Sequence, residues 1–290
     1  MRRLALVALL VLAGCGTFGL QAHPISLAFK AGDTYKYTFH ATLKYTVAAQ
    51  GFSVPFNLEL NGKDTVTVKS VDSSGTADVT LELTDLVTKT TVNGETTSAV
   101  SKSQTVTLKI GPDGRIVSVN GSALAGGAMP DFTGMGSGLI SAVLPDGSVK
   151  VGDTWTKDYD AKSPIGTGSV HVTTASKYLR DEKVGGVNTA VVQSKITTTL
   201  DLALDRSSLG VPMLPAGGAS TDLQSMTIKG TITSDVTSWV DFDGHRLVKT
   251  HSTGSTDATL TINTTTPSTS PGFSGPVTFK GTQSVELDPA

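Results

Sequence analysis

The stretch "YKYTFHATLKYTV", Tyr35 to Val47, decides the fold. Tyr35, Tyr37, Phe39, Ala41, Leu43, Tyr45 and Val47 are apolar or aromatic, and the residues between them, Lys36, Thr38, His40, Thr42, Lys44 and Thr46, are polar. A helix, with 3.6 residues per turn, would mix the two sets. A strand, with a side-chain period of two, puts the first set on one face of a sheet and leaves the second in water.

The alternation recurs outward from this stretch. It appears at Phe52, Val54, Phe56, Leu58 and Leu60, then at Val66 and Val68. It returns at Val79, Leu81 and Leu83, at Val106, Leu108 and Ile110, and at Ile196, Leu200, Leu202 and Leu204. The longest run goes from Met226 through Ile228, Ile232, Val236 and Val240 to Phe242, which is roughly 55 Å of strand at ~3.3 Å per residue. Val277, Phe279, Val285 and Leu287 add a final strand over 276–288. The expectation is a mainly β protein of about eleven long antiparallel strands. Strands of that length oblige a sheet to bend, toward a curved sheet or half-open barrel.

Matching punctuation divides the body, 31–290. "AGDTYKY" from Ala31 and "VGDTWTK" from Val151 both open with Gly-Asp-Thr-aromatic, and Asp113-Gly114 and Asp243-Gly244 both lie between runs of strand formers, as hairpin turns do. Gly32 and Gly152 stand 120 positions apart, and Gly114 and Gly244 stand 130 apart. This spacing reads as two diverged repeats, 31–120 and 151–265. In the linker between them, 121–150, Phe132, Met135, Leu139 and Val143 fall at helical spacing, with Ile140 and Leu144 beside them, so one short apolar helix is predicted there, ended by Pro145. Gly134, Gly136 and Gly138 weaken it, each by about 1 kcal/mol relative to Ala. "DRSSLGVPMLPAGGASTD", Asp205 to Asp222, reads as a long loop with an apolar tip.

Ahead of the body, Arg2 and Arg3 precede the apolar run Leu4 to Ala13, the pattern of an export signal, too short for the ~20 residues of a membrane-spanning helix. Leu12-Ala13-Gly14-Cys15 resembles the lipobox of bacterial lipoproteins. That resemblance implies cleavage of a signal peptide, 1–14, and a diacylglyceryl group on the Cys15 sulfur, with palmitate-like acylation of the new amino terminus. Two or three acyl chains hold a protein firmly at a membrane, since each buried CH₂ contributes about 0.8 kcal/mol. Residues 15–30 read as the lipidated N-terminus and its tether. Cys15 is the only cysteine, so the body must stand without disulfides. The implied address is the bacterial cell envelope, on the outward face of the cytoplasmic membrane or on the outer membrane.

The chemistry-bearing signals are sparse. Net charge is −2 over 290 residues, so nucleic acid is not an expected partner. The sequence contains no G-x-S-x-G, H-E-x-x-H or G-x-x-x-x-G-K-[ST] motif. Asp241-Phe242-Asp243-Gly244 superficially resembles the start of a calcium loop, but Ser252 stands where the closing glutamate belongs, so a hairpin turn is expected. His40, His171, His245 and His251 read as solvated strand histidines. No catalytic residue, metal or cofactor is therefore expected. Strand number, order and lipobox together resemble the LolA/LolB and LppX superfamily of envelope lipoproteins and lipid carriers. The resemblance implies an incompletely closed barrel capped by helices and holding acyl chains. Tyr37, Phe39, Leu81 and Ile228 would line its hollow, with Phe132, Met135 and Leu139 as the cover. The expected function is non-enzymatic binding or carriage of a lipid or other apolar ligand. The alternative is a structural or interaction lipoprotein with a solid core, presenting its sheet face to an envelope protein.

Overall fold

The computed structural model describes residues 22–120, 141–161, 167–204, 223–264 and 275–290. Fourteen strands run through them: β1 (His23–Pro24), β2 (Thr34–Ala49), β3 (Phe52–Val71), β4 (Ala77–Val92), β5 (Glu95–Ser101), β6 (Gln104–Ile110), β7 (Ile116–Asn120), β8 (Ser148–Val149), β9 (Thr154–Ala161), β10 (Thr167–Val184), β11 (Val187–Leu204), β12 (Leu223–Asp241), β13 (Leu247–Thr264) and β14 (Gly275–Pro289). Eleven of them form one antiparallel path, β7-β6-β4-β3-β2-β14-β13-β12-β11-β10-β9, with β5 beside the far half of β4 and β1 paired with β8 in a separate ribbon. The sheet curls into a nearly closed barrel. The expected number of strands is met, and β3, at 20 residues, exceeds the 19 of β12.

The alternation puts the apolar set inside. On β2, Tyr37, Ala41 and Tyr45 are buried while Lys36, Thr38 and Lys44 are exposed. At two inward glycines beside β2, an aromatic of that strand covers the gap. Phe39 lies opposite Gly62, its ring 2.7 Å from where a Cβ would stand, and Tyr45 lies opposite Gly281 in the same way.

One end of the barrel, the base, holds the β3–β4, β6–β7, β10–β11 and β12–β13 turns, including both Asp-Gly turns. The described turns at the other end, the rim, are Gln50-Gly51 and Asn93-Gly94. The base is stoppered by two extended segments. Ile25 and Leu27, placed in the tether by sequence, are almost wholly buried. Leu27 N–H donates to the Pro112 carbonyl and Ala28 N–H to that of His245, so the segment from His23 to Lys30 is part of the folded body.

The second stopper is Ser141 to Pro145, buried throughout and without helical bonds. Val143 and Leu144, expected on the helical stripe, are extended here; Phe132, Met135 and Leu139 lie outside the described residues. The physical reason is that the barrel supplies the partners a helix would otherwise provide. Ala142 N–H donates to Ser238 Oγ (2.7 Å), Val143 N–H to Ser194 Oγ (3.0 Å) and Leu144 N–H to the Asp113 carbonyl (2.9 Å). Trp155 Nε1 donates to the Val143 carbonyl at 3.0 Å. Ser194 is bonded in turn to Ser176 (2.7 Å) and Ser238 to Thr250 (3.1 Å).

Removing either serine hydroxyl leaves a buried amide without its acceptor. Ser238→Ala and Ser194→Ala are each expected to lower stability by about 1–3 kcal/mol, read as a lower urea midpoint with unchanged slope. Midpoints equal to the parent's would mean that the segment is not pinned this way.

Candidate functional site

The inner face is sealed on one side and open on the other. Toward the rim of β10, β11 and β12, Val170, Val172, Leu200, Leu202 and Ile228 are at most 2% exposed. The facing wall is different. On β2 and β3, Leu43, Val47, Val54, Phe56, Leu58 and Leu60 point inward by their register yet remain only half-buried. Phe52 at the rim is 77% exposed. This wall is apolar surface without a full complement of neighbours.

Four of the residues that sequence put in the hollow are described, and all four lie on the inner face. Tyr37 and Ile228 belong to a single buried core, with Phe39 and Leu81 packed against it. Tyr37 is fixed, since its hydroxyl crosses the interior to donate to the Leu247 carbonyl at 2.8 Å. Phe39 and Leu81 are half-buried and adjoin the open wall. Cys15, Phe132, Met135 and Leu139 lie outside the described residues.

A group that sequence reasoning missed stands at the foot of the open wall. Asp64 occupies an inward position on β3, paired across the sheet with Tyr37 of β2 and Leu83 of β4. Its residue is 5% exposed, and its Oδ1 has no hydrogen-bond partner. Burial pushes its carboxyl up to about 7. Burial, together with the Asp64 charge, also raises the Tyr37 phenol. The available signal was a break in the pattern, because Gly62 and Asp64 interrupt an otherwise apolar set from Val54 to Val68.

Higher in the interior lies a satisfied polar band. Tyr45 donates to Gln283 Oε1 at 2.8 Å, with Thr256 alongside. Outside the barrel, a hollow of about 540 Å³ lies over β2, β14, β13 and β12, lined by outward side chains such as Lys44, Thr282, Ser255 and Asp235. It is polar, and so is not the apolar hollow that sequence anticipated.

The calcium-like stretch is a turn that binds itself. Asp241 Oδ1 accepts from Asp243 N–H (3.0 Å) and Gly244 N–H (2.9 Å), while Oδ2 takes Arg246 Nε at 3.1 Å. His40 bonds Asn61 at 2.6 Å, and His171 faces Asp160 at 2.9 Å and Asp158 at 3.4 Å. Among the described residues, no three metal-ligating side chains of His, Cys, Asp or Glu gather in one place, and no helix is long and apolar enough to cross a membrane.

Because the Asp64 carboxyl titrates higher in the folded than in the unfolded chain, the folded state holds the extra proton. Its contribution to stability is complete below about pH 4 and is lost as pH rises through about 7. Against Asp64→Asn, the parent is expected to lose relative stability over that interval, at up to about 1.4 kcal/mol per pH unit. Urea titrations of both proteins at pH 4, 5.5, 7 and 8 measure this, and parallel curves would count against an uncompensated buried carboxyl. No family model matches the chain, and no curated protein matches it.

Proposed function

We propose that this is a lipid-anchored envelope protein that binds or carries a lipid or other apolar ligand against the inner wall of β2 and β3. One observation carries the reading. Leu43, Val47, Val54, Phe56, Leu58 and Leu60 form a half-exposed apolar wall inside a barrel whose opposite wall is sealed. Apolar surface left in this state gains free energy from any occupant that removes it from water, at about 25 cal/mol per Å². The anchor rests on Leu12-Ala13-Gly14-Cys15, a short distance ahead of the folded body.

We also read the body as two diverged repeats. Gly32 N–H donates to the Val68 carbonyl (2.9 Å) and Val68 N–H to that of Asp33 (2.9 Å); Gly152 and Tyr178 repeat the arrangement with Asp153 at 2.8 and 3.0 Å. Glycine is required at both positions, where φ is +93° and +97°. On this view one repeat has filled its inner face and the other has kept its face free for a ligand.

A structural or interaction role is the second reading. It is favoured by the filled wall of β10 to β12 and by the polar outer hollow.

Native mass spectrometry of the Cys15→Ser chain, purified from its own envelope, separates the two. A co-purifying apolar adduct that is lost in a Leu58→Arg variant is the expected result, whereas a bare mass favours the interaction role. In detergent phase partitioning, the parent is expected in the detergent phase and Cys15→Ser in water. A parent chain found in water would remove the anchor.

A further inference from the structure

We infer that Asp64 is a headgroup site, and that the ligand of this barrel is a single-chain amphiphile carrying a primary ammonium. The inference rests on the proposed apolar-ligand reading and names its chemistry.

Three observations converge. The first is the missing partner. Asp64 is 5% exposed, with Oδ1 unbonded. An ionised carboxylate in that setting is costly until a counter-charge and donors reach it. An ammonium brings both, with three N–H donors on one compact centre.

The second is the surroundings. From β2, Tyr37 and Tyr35 face the same region, but the Tyr37 hydroxyl is committed to Leu247 and the Tyr35 hydroxyl to Asp33 at 2.9 Å. From β4 the cross-strand neighbour is the apolar Leu83. Arg246, in the β12–β13 turn, is paired with Asp241 at 3.1 Å. Among the described residues no cation pairs with Asp64, which leaves its charge open to a complement brought by a ligand.

The third is the track leading to it. Above Asp64 on the same face of β3 stand Gly62, Leu60, Leu58, Phe56 and Val54, a run of roughly 33 Å at ~3.3 Å per residue. It ends at the rim, and its length is enough for a long alkyl chain laid along the half-buried wall with its head at the carboxyl. The Phe39 ring lies over Gly62 between carboxyl and track, so a headgroup reaches Asp64 as that ring swings aside into the open wall.

The test uses dodecylamine, dodecanol and dodecanoate, each titrated against an apolar fluorescent dye bound to the full chain carrying Cys15→Ser. At pH 8 the amine is expected to bind at least tenfold more tightly than the alcohol, and the carboxylate more weakly than either. In Asp64→Asn and Asp64→Leu, both first confirmed folded by circular dichroism, the gap between amine and alcohol should close while the alcohol is retained. In the parent it should narrow at pH 5, where Asp64 is protonated. Equal amine and alcohol affinities in the parent, or a preference that survives both substitutions, would overturn the headgroup site and leave apolar binding standing. Failure of all three compounds to displace the dye would overturn the apolar-ligand reading itself, and this inference with it.

Discussion

The pairing of β14 with β2 makes one barrel out of two meanders. From Val277 opposite Ala49 to Pro289 opposite Tyr37, the last strand of the chain runs antiparallel along the first long strand of the body. Every other ladder of the path joins strands that are near neighbours in sequence. This one closes a loop of more than two hundred residues; the Tyr45–Gln283 bond beneath it spans 238 positions. A ladder that long-range collects its hydrogen bonds only after the full entropy of closure has been lost, so folding is expected to be slow and the two meanders to depend on each other. The interior follows from it, because only when β2 sits beside β14 does the half-open wall of β2 and β3 face the sealed wall of β10 to β12.

At the other side of the circle, β7 and β9 come together without a ladder. Side chains take its place near the base. Lys157, inward on β9, pairs with Asp113 at 2.8 Å and with Asp146 at 2.7 Å, and Arg115 lies over the Tyr159 ring at 4.6 Å while contacting Asp113. Asp113 also belongs to the Asp-Gly turn whose backbone receives Leu144. The seam, the turn and the stopper are therefore one polar cluster, in which the Lys157–Asp113 pair is buried and little screened while Asp146 and Arg115 stand exposed to solvent. The same logic governs Ser194 and Ser238, whose hydroxyls allow a bare stretch of backbone to lie in an apolar interior. Unlike Asp113 and Asp241, whose carboxylates are paired, Asp64 is a buried carboxyl with no partner among the described residues.

Much of this was legible in the sequence because period two is a local signal. The inward phase of β2, β3 and β12 can be read directly from Tyr35–Val47, Phe52–Val68 and Met226–Val240, and the two Asp-Gly turns fall where the alternation breaks. What was less legible was the meaning of gaps within a phase. Gly62 and Asp64 on β3, and Gly230, Ser234 and Ser238 on β12, occupy inward positions. A reading that follows only apolar residues passes over them, although they carry the bends, the polar partners and the candidate headgroup site. Ile25, Leu27 and Phe29 alternate too, but over so short a span that they read as tether until the base is seen to need a cover. Val143 and Leu144 fit a helical spacing equally well, and only distant partners, Ser238 and Ser194 for the amides of Ala142 and Val143 and the Asp113 carbonyl for that of Leu144, select the non-helical form. Which strand lies against which is the least legible of all, because β2 and β14 carry no mutual mark.

The chain enters and leaves the barrel at the same end. His23 lies across the base, and Ala290, whose N–H donates to the Lys36 carbonyl, finishes beside it. Whatever grips the polypeptide upstream of His23 therefore holds the stoppered end, and the mouth becomes the far pole. From Cys15 to His23 the backbone can reach at most about 28 Å, less than the length of the long strands. On the proposed anchor and ligand, a cargo seated under that mouth would face away from the membrane holding Cys15, toward whatever lies across the gap.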